Sequence, residues 1–225
     1  MREIILDTET TGLNPEKGDR IVEIGCVELW NKLPTGQTFH EYINPERDMP
    51  EEAKKIHGLS NEYLADKPKF KEISEDFINF ISDSIIVAHN ANFDMKFINF
   101  ELKNIGKPKV SLDNVIDTVK LARIKFPGSS VSLDALCKRF NIDLSVRSNH
   151  GALLDASLLS EVYLELNGGR QGALKVSSSG RVADKEIDIN HSVLNNRQER
   201  HFSASDDEIR LHKKFINEKI INSLW

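Results

Sequence analysis

The chain opens on an apolar run that carries acids two apart and ends in Thr and Gly; IILDTETTGL at 4–13 predicts a buried strand with a polar working end. A second apolar run, IVEIGCVEL at 21–29, follows the turn-forming NPEKGD, and QTFHEYINP at 37–45 alternates like a third strand. These three predict an antiparallel meander. The period then changes. EISEDFINFISD at 72–83 sets Ile73, Phe77, Phe80 and Ile81 at helical spacing, and IIVAHN at 85–90 is a short buried strand. FDMKFINFELKNIG at 93–106 predicts an amphipathic helix closed by Gly106. NVIDTVKLARIKF at 114–126 reads either as a short strand entering a helix or as one helix, stopped by Pro127 and Gly128. SLDALCKRFNI at 132–142 has Ser132 at its N-cap, and GALLDASLLSEVYLEL at 151–166 is a helix ending at Gly168 and Gly169. Alternating strands and helices predict an α/β domain over residues 1–170.

Beyond it the pattern lapses. Residues 171–205 are rich in Ser, Asn and charge with few apolar positions, the composition of a flexible linker. Apolar spacing returns in IRLHKKFINEKIINSLW, where Ile209, Phe215, Ile216, Ile220, Ile221, Leu224 and Trp225 can line one side of a short helix and its end. Residues 206–225 therefore read either as a docking segment or as a disordered end with a chance apolar cluster.

With 225 residues and 39% apolar side chains, the chain supports one packed core and a less folded remainder. No window approaches 18 consecutive apolar residues, and MREIILDTET lacks the features of a signal peptide, so a soluble, cytoplasmic protein without membrane contact is expected. Cys26 and Cys137 are too few for a disulfide framework or a multi-cysteine zinc site and are expected to be buried thiols. The net charge is −5; Lys and Arg against Asp and Glu number 9 and 8 in residues 171–225, leaving 21 and 27 in the domain. Such acidity excludes a broad basic face that wraps duplex DNA. It leaves open an enzyme that grips a strand end through bound cations.

Asp7 and Glu9, at i and i+2 on a strand, point to one face and can converge on shared cations. They are either solvated at the strand end or neutralised by metal, because unpartnered buried carboxylates cost several kcal/mol. Asp94 opens a helix, where an acid is ordinarily a cap or a dipole partner. Asp155 sits among Leu153, Leu154, Leu158 and Leu159, where an inward acid calls for a cation or a strong donor. His150, five residues earlier, would lie about 140° from Asp155 on a continuous helix, so it belongs to the loop or first turn entering the helix. It is either a surface residue or a proton acceptor beside a metal-bound water.

Taken together, DTETTG (7–12), HNANFD (89–94), SLDALC (132–137) and HGALLDA (150–156) resemble, in order and spacing, the motifs of the DEDDh exonuclease superfamily. FPG before SLDALC, and HGALLDASLLSEVYLELNGG, narrow the resemblance to the epsilon proofreading subunits of bacterial DNA polymerase III, over residues 1 to 170. The resemblance implies a ribonuclease H-like fold, a mixed five-stranded sheet flanked by helices. It implies that Asp7, Glu9 and Asp155 bind metals and contact the terminal nucleotide, that Asp94 completes the metal site, and that His150 is the general base. By the same resemblance His57 and Glu52 stand near that nucleotide, and Thr10, Thr11, His89 and Phe93 help seat it. The implied reaction is hydrolysis from the 3′ end of single-stranded DNA with two divalent cations, Mg2+ or Mn2+ being favoured by oxygen-only ligands. The implied partners are the polymerase alpha subunit through 206–225, a sliding clamp through Gln171, Leu174 and Val176, and a small theta-type subunit. A monomer working inside a complex is expected. An RNA exonuclease of the same superfamily and a non-catalytic polymerase-stabilising adaptor are the competing readings.

Overall fold

A computed structural model describes residues 1–145, 150–169 and 204–219. The clamp-binding peptide Gln171–Val176, nearly all of the linker and the terminal 220–225 lie outside the described residues. The chain divides into two units, Met1–Lys175 and Val176–Trp225.

The first unit is built on five strands, β1 (Arg2–Thr10), β2 (Ile21–Trp30), β3 (Leu33–Tyr42), β4 (Ile85–Ala88) and β5 (Val115–Asp117), in the order β3-β2-β1-β4-β5. The first three form the antiparallel meander, and β4 and β5 add parallel to the other side of β1. The β2–β3 hairpin is longer than the sequence pattern predicts. Trp30 pairs with Leu33 across Asn31 and Lys32, whose φ of 51° and 68° make the two-residue turn that matches strand twist.

Helices α1 (Glu51–His57) and α2 (Asn61–Leu64) occupy a stretch for which the sequence predicts no element. Seven and four residues are too short for a helical period to register, and α1 starts at Pro50 without a side-chain cap. Then follow α3 (Phe70–Ile81), α4 (Ala91–Asn104), α5 (Thr118–Lys125), α6 (Leu133–Phe140) and α7 (Ala152–Leu166). The stretch 114–126 resolves into a short strand entering a helix, because Asp117 ends β5 and caps α5 by accepting from Val119 N at 2.9 Å.

Alternation along β1 sends Ile4 and Leu6 to a core with Phe77, Phe97 and Leu102, and Ile5 to a second core with Leu136, Leu159 and Val162. Each such side chain contributes roughly 1.5–3 kcal/mol on burial. Asp7 and Glu9 share the Ile5 face, beneath α7. At the far end of that face Glu3 is fully buried, and Tyr163 Oη (2.8 Å) and Lys32 N (3.1 Å) donate to its carboxylate. Cys26 and Cys137 are buried free thiols.

The second unit contributes α8 (Asp206–Lys219), whose start is a capping box: Glu208 N donates to Ser205 Oγ at 3.4 Å and Ser205 N donates to Glu208 Oε2 at 2.8 Å. Ile209, Leu211 and Phe215 are exposed on it. Among the described residues no helix is long and apolar enough to cross a membrane.

Candidate active site

The register places Asp7 opposite Gly25 and Glu9 opposite Glu23. Gly25 lets α7 lie directly on β2: a Cβ there would stand 2.2 Å from Leu153 N and 2.3 Å from Ala152 C. That close approach brings the first turn of α7, with Asp155, over the acids of β1. Gly151 is extended at φ −152°, so His150 precedes the helix and turns back along it, its Nδ1 3.1 Å from Asp155 Oδ2. Ligand atoms of Glu9, His150 and Asp155 lie within 4.8 Å of one another.

Asp94 enters from the other face, in the first turn of α4, where Thr8 Oγ1 donates to its Oδ1 at 2.8 Å. Burial is the main reason its carboxyl is pushed up from 3.8 to about 7, against the lowering effect of its hydrogen bonds. The Asp7 carboxyl is held well above the ordinary range, first by burial and then by the negative charges of Asp94, Glu9, Asp155 and Glu23. Among the described residues Asp7 has no hydrogen-bond donor of the kind that answers Glu3. These acids oppose one another, and the arrangement fits a cationic ligand.

Around this cluster, His57 is buried at the end of α1. Its Nδ1 accepts from Leu59 N at 3.1 Å, and burial holds its pKa below the ordinary value. His150 N donates to Ile56 O at 3.2 Å, tying the segment before α7 to α1. Glu52 is exposed on the first turn of α1, and no contact joins it to the acids among the described residues. Thr10 Oγ1 donates to Gly12 O at 2.6 Å, and Thr11 Oγ1 accepts from Arg20 N at 3.0 Å, so both hydroxyls shape the loop after β1. His89 Nδ1 pairs with Thr118 Oγ1 at 2.9 Å, and burial lowers its pKa. Phe93 packs on Phe97 with ring centroids 5.0 Å apart.

Asp7, His89, Asp117, His150 and Asp155 line one open cleft of about 650 Å3. A second hollow of about 620 Å3 beside α4 holds none of the acids of the cluster. Thr8, Glu23, Gly25, His40 and Asp117 also shape the site, and the sequence pattern alone does not single them out. Glu23 is 3% exposed and its Oε1 meets His40 Nε2 at 2.8 Å. The available signals are Gly25 and the two acids, Glu23 and Glu28, that interrupt the apolar run IVEIGCVEL.

Residues 4–163 match the RNase T exonuclease family. The DNA polymerase III subunit epsilon of Rickettsia felis is 51% identical over 226 residues, covering 96% of each chain. That of Escherichia coli K12 is 40% identical, covering 100% of this chain and 97% of its own. Among solved structures, exonuclease X in complex with 5′ overhanging duplex DNA is 29% identical with a TM-score of 0.57, over 73% of this chain and 90% of that one. The nuclease domain of 3′hExo, a DEDDh family member bound to rAMP, is 19% identical with a TM-score of 0.64, over 74% and 92%, and shares the fold. The chain belongs to the exonuclease family, among the epsilon subunits of DNA polymerase III, and is a metal-dependent 3′→5′ exonuclease.

Proposed function

We propose that the chain hydrolyses the 3′-terminal phosphodiester of single-stranded DNA, releasing nucleoside 5′-monophosphates, as the cytoplasmic proofreading subunit of the replicative polymerase. The observation that carries this reading is one cluster of acids, in which Asp94, Glu9 and Asp155 act on Asp7 and ligand atoms of Glu9 and Asp155 stand beside His150, with Asp7, Asp155 and His150 lining the cleft and the Asp7 and Asp94 carboxyls held above their ordinary pKa. Oxygen donors suit Mg2+ or Mn2+, and these four carboxylates would hold two such ions. When bound, the cations neutralise the acids and stabilise charge on the attacking and leaving oxygens. His150, its side chain 49% exposed, takes the proton of the attacking water, and Asp155 orients the ring through Nδ1. Asp7, Glu9 and Asp155 contact the terminal nucleotide, His57 and Glu52 flank it, and Thr10, Thr11, His89 and Phe93 shape its seat.

Residues 1–170 act as the exonuclease domain and 171–205 as a flexible linker. Residues 206–225 dock on the alpha subunit: exposed Ile209, Leu211 and Phe215 on a helix of marginal intrinsic stability support a groove on a partner as its place. Deleting 206–225 should abolish co-purification with that subunit and spare hydrolysis. Gln171, Leu174 and Val176 reach a sliding clamp, tested by pull-down with Gln171→Ala and Leu174→Ala, and a theta-type subunit would co-purify with 1–170.

The activity test is digestion of a 5′-labelled DNA oligonucleotide with Mg2+ or EDTA, comparing wild type, Asp7→Ala and His150→Ala, with an RNA oligonucleotide alongside. A ladder shrinking from the 3′ end, abolished by EDTA and by Asp7→Ala and strongly reduced by His150→Ala, is expected. Faster RNA digestion would favour a ribonuclease, and no cleavage of either strand a non-catalytic adaptor.

A further inference from the structure

We propose that Lys120 and Arg123 form a phosphate-binding subsite for the strand that feeds the active site, upstream of the scissile bond. The proposal rests on the exonuclease reading above. Asp117 fixes where α5 begins, accepting from Val119 N at 2.9 Å and Asn90 N at 3.2 Å. Thr118 and Ala122 are buried beneath the helix. Lys120 and Arg123, three residues apart, therefore share its exposed stripe, and both line the cleft of Asp7, His150 and Asp155.

Neither cation has an ion pair or a side-chain hydrogen bond among the described residues. Their place in the cleft is what singles them out, since other cations of the domain such as Lys71 and Lys103 also lack an ion pair among the described residues. Arg20 and Arg47, on the loops around β2 and β3, are held by Glu101 at 2.6 Å and Asp19 at 2.7 Å. The acids of the cleft repel a polyanion, and cations at the reacting phosphate leave the preceding phosphates unanswered. Two unpaired basic side chains on the facing helix answer them. Their Cβ atoms are about 5–6 Å apart, as i, i+3 residues are, a reach that suits successive phosphates of one strand. The ligand is a single-strand phosphodiester backbone, bound without regard to base.

The experiment uses the full chain with Mg2+: wild type, Lys120→Ala, Arg123→Ala, the double variant, and Lys71→Ala on α3 as a matched charge loss. Substrates are a single-stranded DNA oligonucleotide and the p-nitrophenyl ester of thymidine 5′-monophosphate, which has no upstream phosphate. The ratio of oligonucleotide KM to ester KM should rise about tenfold for each substitution with kcat on the oligonucleotide kept. The slope of log KM against log salt should fall by about 0.7 per lost contact. A double variant with wild-type KM and salt slope on the oligonucleotide overturns the subsite. So does an equal loss on both substrates, which would put the two side chains at the reacting group, and so does the same KM shift in Lys71→Ala. A wild-type protein that cleaves neither substrate overturns the exonuclease reading itself.

Discussion

Replacing Gly25 by alanine adds a methyl where β2 and α7 leave no room. The new Cβ would meet Leu153 N at 2.2 Å, Ala152 C at 2.3 Å and Ala152 O at 2.5 Å, main-chain atoms that no rotamer change can clear. Ordinary contact begins near 3.4 Å, so the first turn of α7 has to retreat by the difference, about 1 Å. That turn leads into Asp155 and its partner His150, whereas Asp7, directly across from Gly25, stays with the sheet. Two costs follow. Overpacking at a tight contact destabilises by about 1–3 kcal/mol. Displacing half of a catalytic constellation by about 1 Å lowers turnover by about 100-fold. The assay pairs kcat at saturating DNA and Mg2+ with the urea midpoint, and circular dichroism confirms that the variant is folded. Gly36→Ala is the comparison: nothing lies within 4 Å of its Cβ, and only a φ of +88° resists the change. It should cost about 1 kcal/mol and leave kcat at the wild-type value. Wild-type kcat and urea midpoint in Gly25→Ala would refute the claim that this approach sets the site.

Without cations, stability should fall as pH rises. The folded-state pKa of Asp94, about 7, lies above its ordinary 3.8, so the stability it lends is full below 3.8 and is lost as pH climbs through about 7. Urea midpoints in EDTA should decline from pH 5 to pH 8.5 and recover on adding Mg2+ at the alkaline end; a midpoint rising with pH in EDTA would contradict the sign. Asp94→Asn keeps an acceptor for Thr8 Oγ1 and removes the buried charge. It should stabilise the protein against urea in EDTA at pH 8 by about 1–4 kcal/mol while hydrolysis is lost, and a loss of stability would show that the buried charge is not the cost. Arg20→Ala strands Glu101, which is 1% exposed, and should cost about 3–5 kcal/mol in urea unfolding, with Arg20→Met plus Glu101→Leu recovering most of it.

The meander, the two-period pattern and the helices α3 to α7 are legible in the sequence because each is long enough for its apolar period to repeat. The edge strand β3 starts four residues earlier than its alternation suggests, since a hairpin grows from its turn, and Asn31 and Lys32 supply positive φ without the Asn-Gly pair that announces such turns. Helices α1 and α2 hold only Ala53, His57 and Leu64 buried, too few positions for any pattern.

The site divides along the same physical line. Asp7 and Glu9 are legible because period 2 on one strand fixes their common face, and Asp155 because a carboxylate amid leucines contradicts its helix. What a strand faces is set by register, which one strand does not reveal. Opposite Glu9 stands Glu23, and like charges directly across a strand pair are destabilising. His40 meets that charge from β3 at 2.8 Å, which leaves Glu9 directed to Asp155 and His150. Thr8 points to the other side of the same strand and so reaches Asp94 on α4. The pairing of His150 with Asp155 is the sharpest case. On a continuous helix the two stand about 140° apart, yet a single extended residue, Gly151, turns His150 back along the first turn into hydrogen-bonding range. One extended residue, in a conformation open to any side chain, thus decides whether His150 and Asp155, the proposed proton acceptor and the acid proposed to orient it, meet at all.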